Sequence, residues 1–178
     1  MKRAVAVLCL SVLLLPAPAQ EAVVGPNIRV NQAPGTSMQE ETFIVADPTN
    51  PKRLCAGYKD YHLNNNKQCG YAWSADDGQT WGEGNIPLMS NGTSTFRNSS
   101  DPWLAWGSDG RAFYCSLQYG APTAPTSEIW VHRSIDGGAT WDGGTAATVP
   151  PSGASEDKQA MSVDPGAPNR LVITWTRF

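Results

Sequence analysis

Two aspartates stand at the same position of a repeated octet, where they could act as catalytic carboxylates or calcium ligands. Residues 74–81 and 134–141 both read S-x-D-x-G-x-T-W. Each position also suits a tight turn between antiparallel strands. The aspartate can accept hydrogen bonds from backbone N–H groups two residues later, and the glycine supplies positive φ. The hydroxyl groups can bond to further polar groups of the turn, and the tryptophan can bury apolar area against a neighbouring unit. We therefore expect structural turns built from Ser74, Asp76, Gly78, Thr80 and Trp81, and from Ser134, Asp136, Gly138, Thr140 and Trp141.

A second, independent repeat has the same period. The two octets lie 60 residues apart, and the motif D-P-x-x-P-x-R-L occurs at 47–54 and again at 164–171, 117 residues further on. Because 117 is close to twice 60, both motifs indicate one repeating unit of about 60 residues.

Each unit contains short apolar segments separated by turn residues. The first has segments at 42–46, 53–58 and 70–74, a polar loop at 60–68 and a fourth segment after the octet. Four short strands per unit are typical of a β-propeller blade, whereas a β-sandwich would not predict self-similarity at this period. The sequence predicts an all-β β-propeller, incomplete at two four-stranded blades, about 40–90 and 98–150, and half of a third at 157–178.

The N-terminus has the features of a signal peptide. Lys2 and Arg3 precede an apolar run at 4–15, and residues 17–19 form an A-x-A cleavage site. We expect residues 1–19 to be removed, with a retained anchor as the alternative, and residues 20–39 to lead into the propeller. The mature protein is then secreted, periplasmic or extracellular, with no membrane span. The net charge of −3 and the lack of a basic patch argue against a nucleic-acid partner.

Three cysteines remain after removal of residues 1–19. Cys55 and Cys69 fall on neighbouring predicted strands, so they are a candidate disulfide, and three buried free thiols, with Cys115, are the alternative. The chain has no CxxC motif and only two histidines, so we expect no metal site and no cofactor.

The octets resemble the Asp-box, or BNR, repeat of the sialidase superfamily, and the segments at 41–47, 101–114 and 157–178 resemble exported bacterial proteins of the sialidase family type. That family places an arginine in an F/Y-R-I-P motif near its start. Here Phe96-Arg97-Asn98-Ser99 lacks the Ile and Pro, and Arg29 lies near the mature start without the motif. The family's later arginines and its tyrosine–glutamate nucleophile pair have no counterpart in this chain, so Asp101, Arg97 and Arg29 are only weak catalytic candidates.

The resemblance also implies where a ligand would bind. In Asp-box propellers the octet turns lie on one face, and the loops that enter strand one and join strands two and three lie on the opposite face, around the central channel. Glu41, Asp101 and Lys158 correspond to one another just before strand one, so we expect their side chains to converge. Carboxylates, an arginine and tyrosines suit sugar hydroxyls or an acidic glycan. The ligand-binding candidates are Glu41, Asp60, Tyr61, Asp101, Tyr119 and Lys158.

Three functions remain open. The first is an exported scaffold that binds carbohydrate or an extracellular protein without catalysis by this chain alone. The second is a sialidase-type glycoside hydrolase whose catalytic residues lie mostly beyond residue 178. The third is a structural surface protein. Because a propeller closes with about four blades or more, we expect the 178 residues to be the N-terminal part of a longer protein.

Overall fold

The computed structural model describes residues 24–31, 37–63, 66–123, 125–151 and 153–178. The predicted signal peptide at 1–19 lies outside these residues. The described chain contains no helix, so none of it forms an apolar helix long enough to cross a bilayer. Its strands are β1 (Gln39–Asp47), β2 (Asn50–Leu63), β3 (Asn66–Ser74), β4 (Gly82–Asn85), β5 (Asn98–Trp106), β6 (Ala112–Tyr119), β7 (Ser127–Ser134), β8 (Thr145–Ala146), β9 (Glu156–Asp164) and β10 (Ala167–Arg177).

These strands form three antiparallel sheets, each in the order of the chain. Blade 1 is β1-β2-β3-β4, blade 2 is β5-β6-β7-β8, and blade 3 is the pair β9-β10. The prediction of an all-β fold with two four-stranded sheets and a third, two-stranded sheet is confirmed.

The strands are longer than the apolar segments indicate. The polar loop predicted at 60–68 is largely strand, because β2 and β3 continue to pair through Asp60–Gln68 and Leu63–Asn66. Apolar residues mark only the part of a strand that is buried, whereas the ladder of backbone hydrogen bonds does not depend on side-chain polarity.

Successive blades pack in the same way. The first three strands of blade 1 contact β5, and the first three strands of blade 2 contact β9. The core between blades 1 and 2 includes Cys55, Leu104 and Tyr114, and the core between blades 2 and 3 includes Phe113 and Met161. The first strand of each blade therefore lies beside the first strand of the next, as around a propeller axis.

Polar bonds also join each pair of blades. Ser99 Oγ of β5 accepts the N–H of Cys69 at 2.8 Å, and Ser127 Oγ of β7 accepts the N–H of Glu156 at 3.0 Å. Tyr114 donates its hydroxyl to Gly70 O at 2.8 Å. Since these groups are buried, each would cost free energy if left unpaired, which opposes sliding of one blade on the next.

The two octets adopt one bonding pattern at the β3–β4 and β7–β8 turns. Ser74 Oγ donates to Asp76 Oδ1 at 2.8 Å and accepts the N–H of Gly78 at 2.9 Å. Asp76 accepts the N–H of Thr80 at 2.9 Å and its hydroxyl at 2.6 Å. The second octet repeats all four bonds. The expectation that each aspartate accepts a backbone N–H from the residue two positions later is wrong. Each aspartate accepts the N–H of the threonine four positions later, because it closes the whole loop rather than a single Asx turn.

The tryptophans of the octets pack differently. Trp141 lies edge-on to Tyr71 of blade 1 and Tyr114 of blade 2, with ring centroids 5.9 and 5.5 Å away. Trp81 packs on its own blade, near Ala56, and donates to Gly78 O at 2.9 Å. The expectation that the octet tryptophans are buried against a neighbouring blade is therefore correct for Trp141 and wrong for Trp81.

The second repeated motif is also a closed turn. Asp47 accepts the N–H of Thr49 at 2.8 Å, and its other carboxylate oxygen lies 3.1 Å from Arg53 Nε. Asp164 and Arg170 form the equivalent pair at 3.4 Å in blade 3. The conserved spacing of Asp and Arg within D-P-x-x-P-x-R-L is thus explained by one ion pair across the turn.

The candidate disulfide between Cys55 and Cys69 is wrong. Both are buried free thiols, as is Cys115. In the β2–β3 register Cys55 lies opposite Trp73, whereas Cys69 lies opposite Lys59. Four residues of strand separate the two sulfurs, roughly 14 Å along the sheet, well beyond the reach of a disulfide.

Candidate functional site

Each first strand carries one charged residue in the left-handed backbone conformation. Glu41 of β1, Asp101 of β5 and Lys158 of β9 have φ values of 55°, 53° and 51°. The ladders shift register at these points, so the three residues lie within the strands, on β-bulges, and not before them as expected. A bulge redirects the side chain that it carries.

The bulges bring the three side chains together, as the sequence predicts. Lys158 Nζ lies 3.1 Å from Asp101 Oδ2 and 3.8 Å from Glu41 Oε1. Glu41 Oε2 accepts the backbone N–H of Asp101 at 2.8 Å. We name these three residues, each from a different blade, the charged cluster.

Asp101 and Lys158 stabilise each other's charged forms. Burial opposes ionisation of Asp101, but its contacts with Glu41 and Lys158 outweigh burial and lower the pKa of the Asp101 carboxyl. Hydrogen bonding to Asp101 raises the pKa of Lys158. Lys59 adds a second cation 3.4 Å from Glu41 Oε1, so two carboxylates face two ammonium groups.

Beside the charged cluster runs a groove of about 320 Å³ that includes two aromatic side chains. The rings of Phe43 and Trp103 lie 4.5 Å apart, tilted by 34°. Trp103 Nε1 donates to Met161 O at 2.7 Å, which fixes the indole. The remaining wall comes from the residues beside each bulge, namely Thr42, Pro102, Gln159 and Ala160. We name this cavity the aromatic groove.

Two of the other predicted ligand residues lie on β2. Asp60 is buried and accepts a 3.2 Å hydrogen bond from Gln39 Nε2. Tyr61 donates to Glu40 Oε2 at 2.8 Å, and the ammonium of Lys59 lies 5.6 Å from its ring centroid. Both are therefore close to the charged cluster in the sheet, but neither lines the aromatic groove.

The remaining candidates lie elsewhere. Tyr119 lines a separate recess with Glu156 and Asp157. Arg97 is exposed just before β5, four residues from Asp101, and Arg29 is exposed and donates to Asn31 Oδ1 at 3.5 Å.

Sequence analysis missed three groups at the site. Phe43 and Trp103 each follow the bulge residue by two positions, so the 60-residue repeat contained a signal for them. Lys59 occupies a β2 position whose counterpart in β6 is Leu117, so the repeat contained no signal for a charged residue there. In the described ranges no three His, Cys, Asp or Glu side chains are grouped to hold a metal ion.

The fold resembles that of solved structures. An α-L-arabinanase from Penicillium chrysogenum, solved with arabinobiose, has a TM-score of 0.52 and 16% sequence identity over 79% of this chain and 40% of its own. The chain has a propeller-like fold. A protein of unknown function from Dyadobacter fermentans is also similar, with a TM-score of 0.48 and 17% identity over 79% of this chain and 54% of its own.

This propeller-like chain thus spans less than two thirds of either structure. At such low identity the likeness concerns the fold alone. No protein-family model and no curated protein matches the chain.

Proposed function

We propose that the chain is part of an exported Asp-box propeller of the sialidase superfamily, and that its charged cluster and aromatic groove bind a glycan without hydrolysing it. One observation carries this proposal: three neighbouring strands each hold a charged residue in a left-handed conformation and direct it to one point. A non-glycine residue in that conformation costs on the order of 1 kcal/mol or more, and such strain concentrates at functional sites.

The chemistry of the site suits a sugar. Carboxylates accept hydrogen bonds from hydroxyls, the ammonium of Lys158 donates them, and the rings of Phe43 and Trp103 offer an apolar surface to the C–H face of a pyranose or furanose. A volume of about 320 Å³ is at the small end of ligand pockets and fits one or two sugar rings. The groove is lined by two carboxylates and one ammonium group, so it carries no excess of positive charge, which favours a neutral glycan over an acidic one.

The same geometry argues against catalysis by this chain. Glycosidases of the common type need a carboxylic acid with a raised pKa and a second carboxylate about 5–10 Å away across the scissile bond. Asp101 has a lowered pKa and touches both Glu41 and Lys158. Asp101 is therefore unsuited to act as the proton donor at neutral pH.

A glycoside hydrolase is the second candidate. It is favoured by the pair of carboxylates at the axis of the fold and by the fold's likeness to an enzyme named an α-L-arabinanase. In that case further residues, outside this chain, would complete the catalytic set. Binding of an extracellular protein and a purely structural role are the other readings.

Glycan binding can be tested with the purified chain on an oligosaccharide array, followed by titration calorimetry with a neutral binder. We expect neutral oligosaccharides to bind, and Asp101→Asn to weaken binding at least about tenfold, because it removes a charged acceptor while keeping a residue that tolerates positive φ. Asp109→Asn is the matched control, since Asp109 pairs with Arg111 in a turn between β5 and β6. No glycan binding, or equal losses in both variants, would contradict the proposal.

The absence of catalysis is tested separately. The chain is incubated with a fluorogenic sialoside and a fluorogenic arabinoside, and we expect no release above a heat-denatured sample. Turnover that Asp101→Asn abolishes would instead support the hydrolase.

A further inference from the structure

A recess of about 320 Å³ lies between blades 2 and 3, at the end of the blades that carries the bulges. Its walls include the acidic residues Glu156 and Asp157, at the start of β9, and the aromatic residues Tyr119 and Phe178. Among the described residues that line it there is no lysine, arginine or histidine. We name this cavity the acidic recess.

Glu156 has an acceptor that the protein leaves unused. Its side chain is fully buried, and Arg177 donates to Oε1 from Nε at 2.9 Å and from Nη2 at 2.5 Å. Within the described part of the chain, Glu156 Oε2 has no hydrogen-bond partner. A buried carboxylate oxygen without a donor costs free energy, and a ligand that supplies the donor recovers that cost.

The repeat does not require carboxylates at this place. Glu156 stands two residues before the left-handed Lys158, and Ser99 stands two residues before the left-handed Asp101. The hydroxyl of Ser99 accepts the N–H of Cys69 and so joins two blades. The following residue is likewise a serine in β5 and an aspartate in β9. Since small hydroxyl residues suffice for blade packing, the two carboxylates add negative charge that the fold does not need.

The acidic recess adjoins the charged cluster. Asp157 lines the acidic recess, whereas Lys158 and Gln159 line the aromatic groove. Hydrogen bonding to Asp101 raises the pKa of Lys158, and the nearby charge of Asp157 adds to this effect. At about 3.3 Å of strand per residue, the two cavities lie roughly 7 Å apart along β9. Neighbouring rings of one oligosaccharide can therefore occupy both.

We propose that the acidic recess is a second subsite for the glycan of the charged cluster, and that it receives a sugar ring with a free, protonated amine. This subsite rests on the glycan binding proposed above and names an amino sugar as the ligand class. The ammonium group donates to Glu156 Oε2 and pairs with Asp157, while Tyr119 and Phe178 attract it through their ring faces. A cavity of this volume at the edge of a glycan groove suits a whole ring, which favours an amino sugar over a lysine side chain of a protein partner.

The test is an NMR titration of the ¹⁵N-labelled chain with D-glucosamine and with D-glucose at pH 6, where a free amine is protonated. The two sugars differ only in the amine at C2, so glucose is the matched control. We expect glucosamine to shift the amide signals of Gly120, Ser155 and Glu156, which line the acidic recess. Its dissociation constant should be at least about fivefold lower than that of glucose, because a charged donor meets two carboxylates. Nα-acetyl-lysine amide, which carries an ammonium but no sugar ring, should bind more weakly than glucosamine.

Two protein variants assign the preference to the acidic recess. Asp157→Asn should weaken glucosamine binding at least about fivefold and leave glucose binding unchanged, whereas Asp109→Asn, in the turn between β5 and β6, should change neither. Asp157 is partly exposed, so this variant keeps the buried pair of Glu156 and Arg177 intact.

The outcomes separate this subsite from the proposed function. Equal affinity for glucose and glucosamine, no shift at millimolar glucosamine, shifts outside the acidic recess, or tighter binding of the lysine derivative would each overturn the amino-sugar subsite. If neutral oligosaccharides still bind and Asp101→Asn still weakens them, the proposed function survives that result. If neutral oligosaccharides fail to bind, the proposed function is wrong, and a subsite for the same glycan is wrong with it.

Discussion

The left-handed conformation of Asp101 can be tested by comparing two substitutions that remove the same carboxylate. Asp101→Gly and Asp101→Ala both lose the contacts with Lys158, while the backbone N–H bonded to Glu41 Oε2 remains in each. The two variants differ mainly in backbone preference at φ 53°. Their difference in stability therefore isolates the cost of the bulge conformation.

The magnitude follows from two opposing terms. Alanine in the left-handed region costs about 1–2 kcal/mol relative to glycine, whereas glycine loses about 0.4–1 kcal/mol more in chain entropy on folding. We expect the glycine variant to be more stable by about 1 kcal/mol. Loss of the ion pair with Lys158 is common to both variants, so it cancels in the comparison.

The assay is urea unfolding of both variants, with Asp109→Gly and Asp109→Ala as controls. Asp109 also pairs with an arginine but does not have positive φ. There we expect the reverse order, with alanine at least as stable as glycine. If Asp101→Ala equals or exceeds Asp101→Gly in stability, the bulge is not strained and the argument for a functional site at Asp101 loses its basis.

Three further predictions concern the octets and the thiols. Gly138→Ala should destabilise the chain by about 2 kcal/mol or more in urea unfolding, because φ is 90° and a Cβ would clash with Cys55 Sγ. The control Gly143→Ala has open space around it and should change stability by less than about 0.5 kcal/mol. Equal effects of the two substitutions would contradict this prediction. Bonds from Thr80 lower the pKa of Asp76 to about 2, so its contribution to stability is full above the unfolded value and is lost progressively as pH falls from there through about 2. An NMR titration midpoint near 3.8, the ordinary value for aspartate, would refute this. Burial raises the pKa of the Cys55 and Cys69 thiols to about 12, so a thiol reagent at pH 8 should label the three buried cysteines only after unfolding. Rapid labelling of Cys55, Cys69 or Cys115 in the native chain, located by mass spectrometry, would contradict their burial.

The sequence predicted features that repeat. Two octets and two D-P-x-x-P-x-R-L turns indicated the period, the strand order within each blade and the convergence of Glu41, Asp101 and Lys158. The period depends only on counting along the chain, whereas the convergence of Glu41, Asp101 and Lys158 was implied by the resemblance to Asp-box propellers. Since every unit folds on the same plan, equivalent positions meet at equivalent places around the axis.

Features that depend on register could not be predicted. Cys55 and Cys69 lie on adjacent strands, but only the pairing of Cys55 with Trp73 shows that they are too far apart. The bulge at Asp101 depends on a shift in the β5–β6 ladder that no residue type announces. Lys59 places its ammonium beside the charged cluster from a β2 position that holds Leu117 in blade 2, so the repeat gave no signal for it.

The two ends of the blade differ in where their polar groups find partners. At the octet end Asp76 is satisfied within its own loop, by Ser74 and Thr80. At the bulge end the partners of Asp101 are Glu41 of blade 1 and Lys158 of blade 3. A group satisfied locally supports folding of its own turn, whereas one satisfied across blades depends on their arrangement and stays open to a ligand between them. Substitutions in the octets should therefore change stability first, and substitutions at the bulges should change binding first.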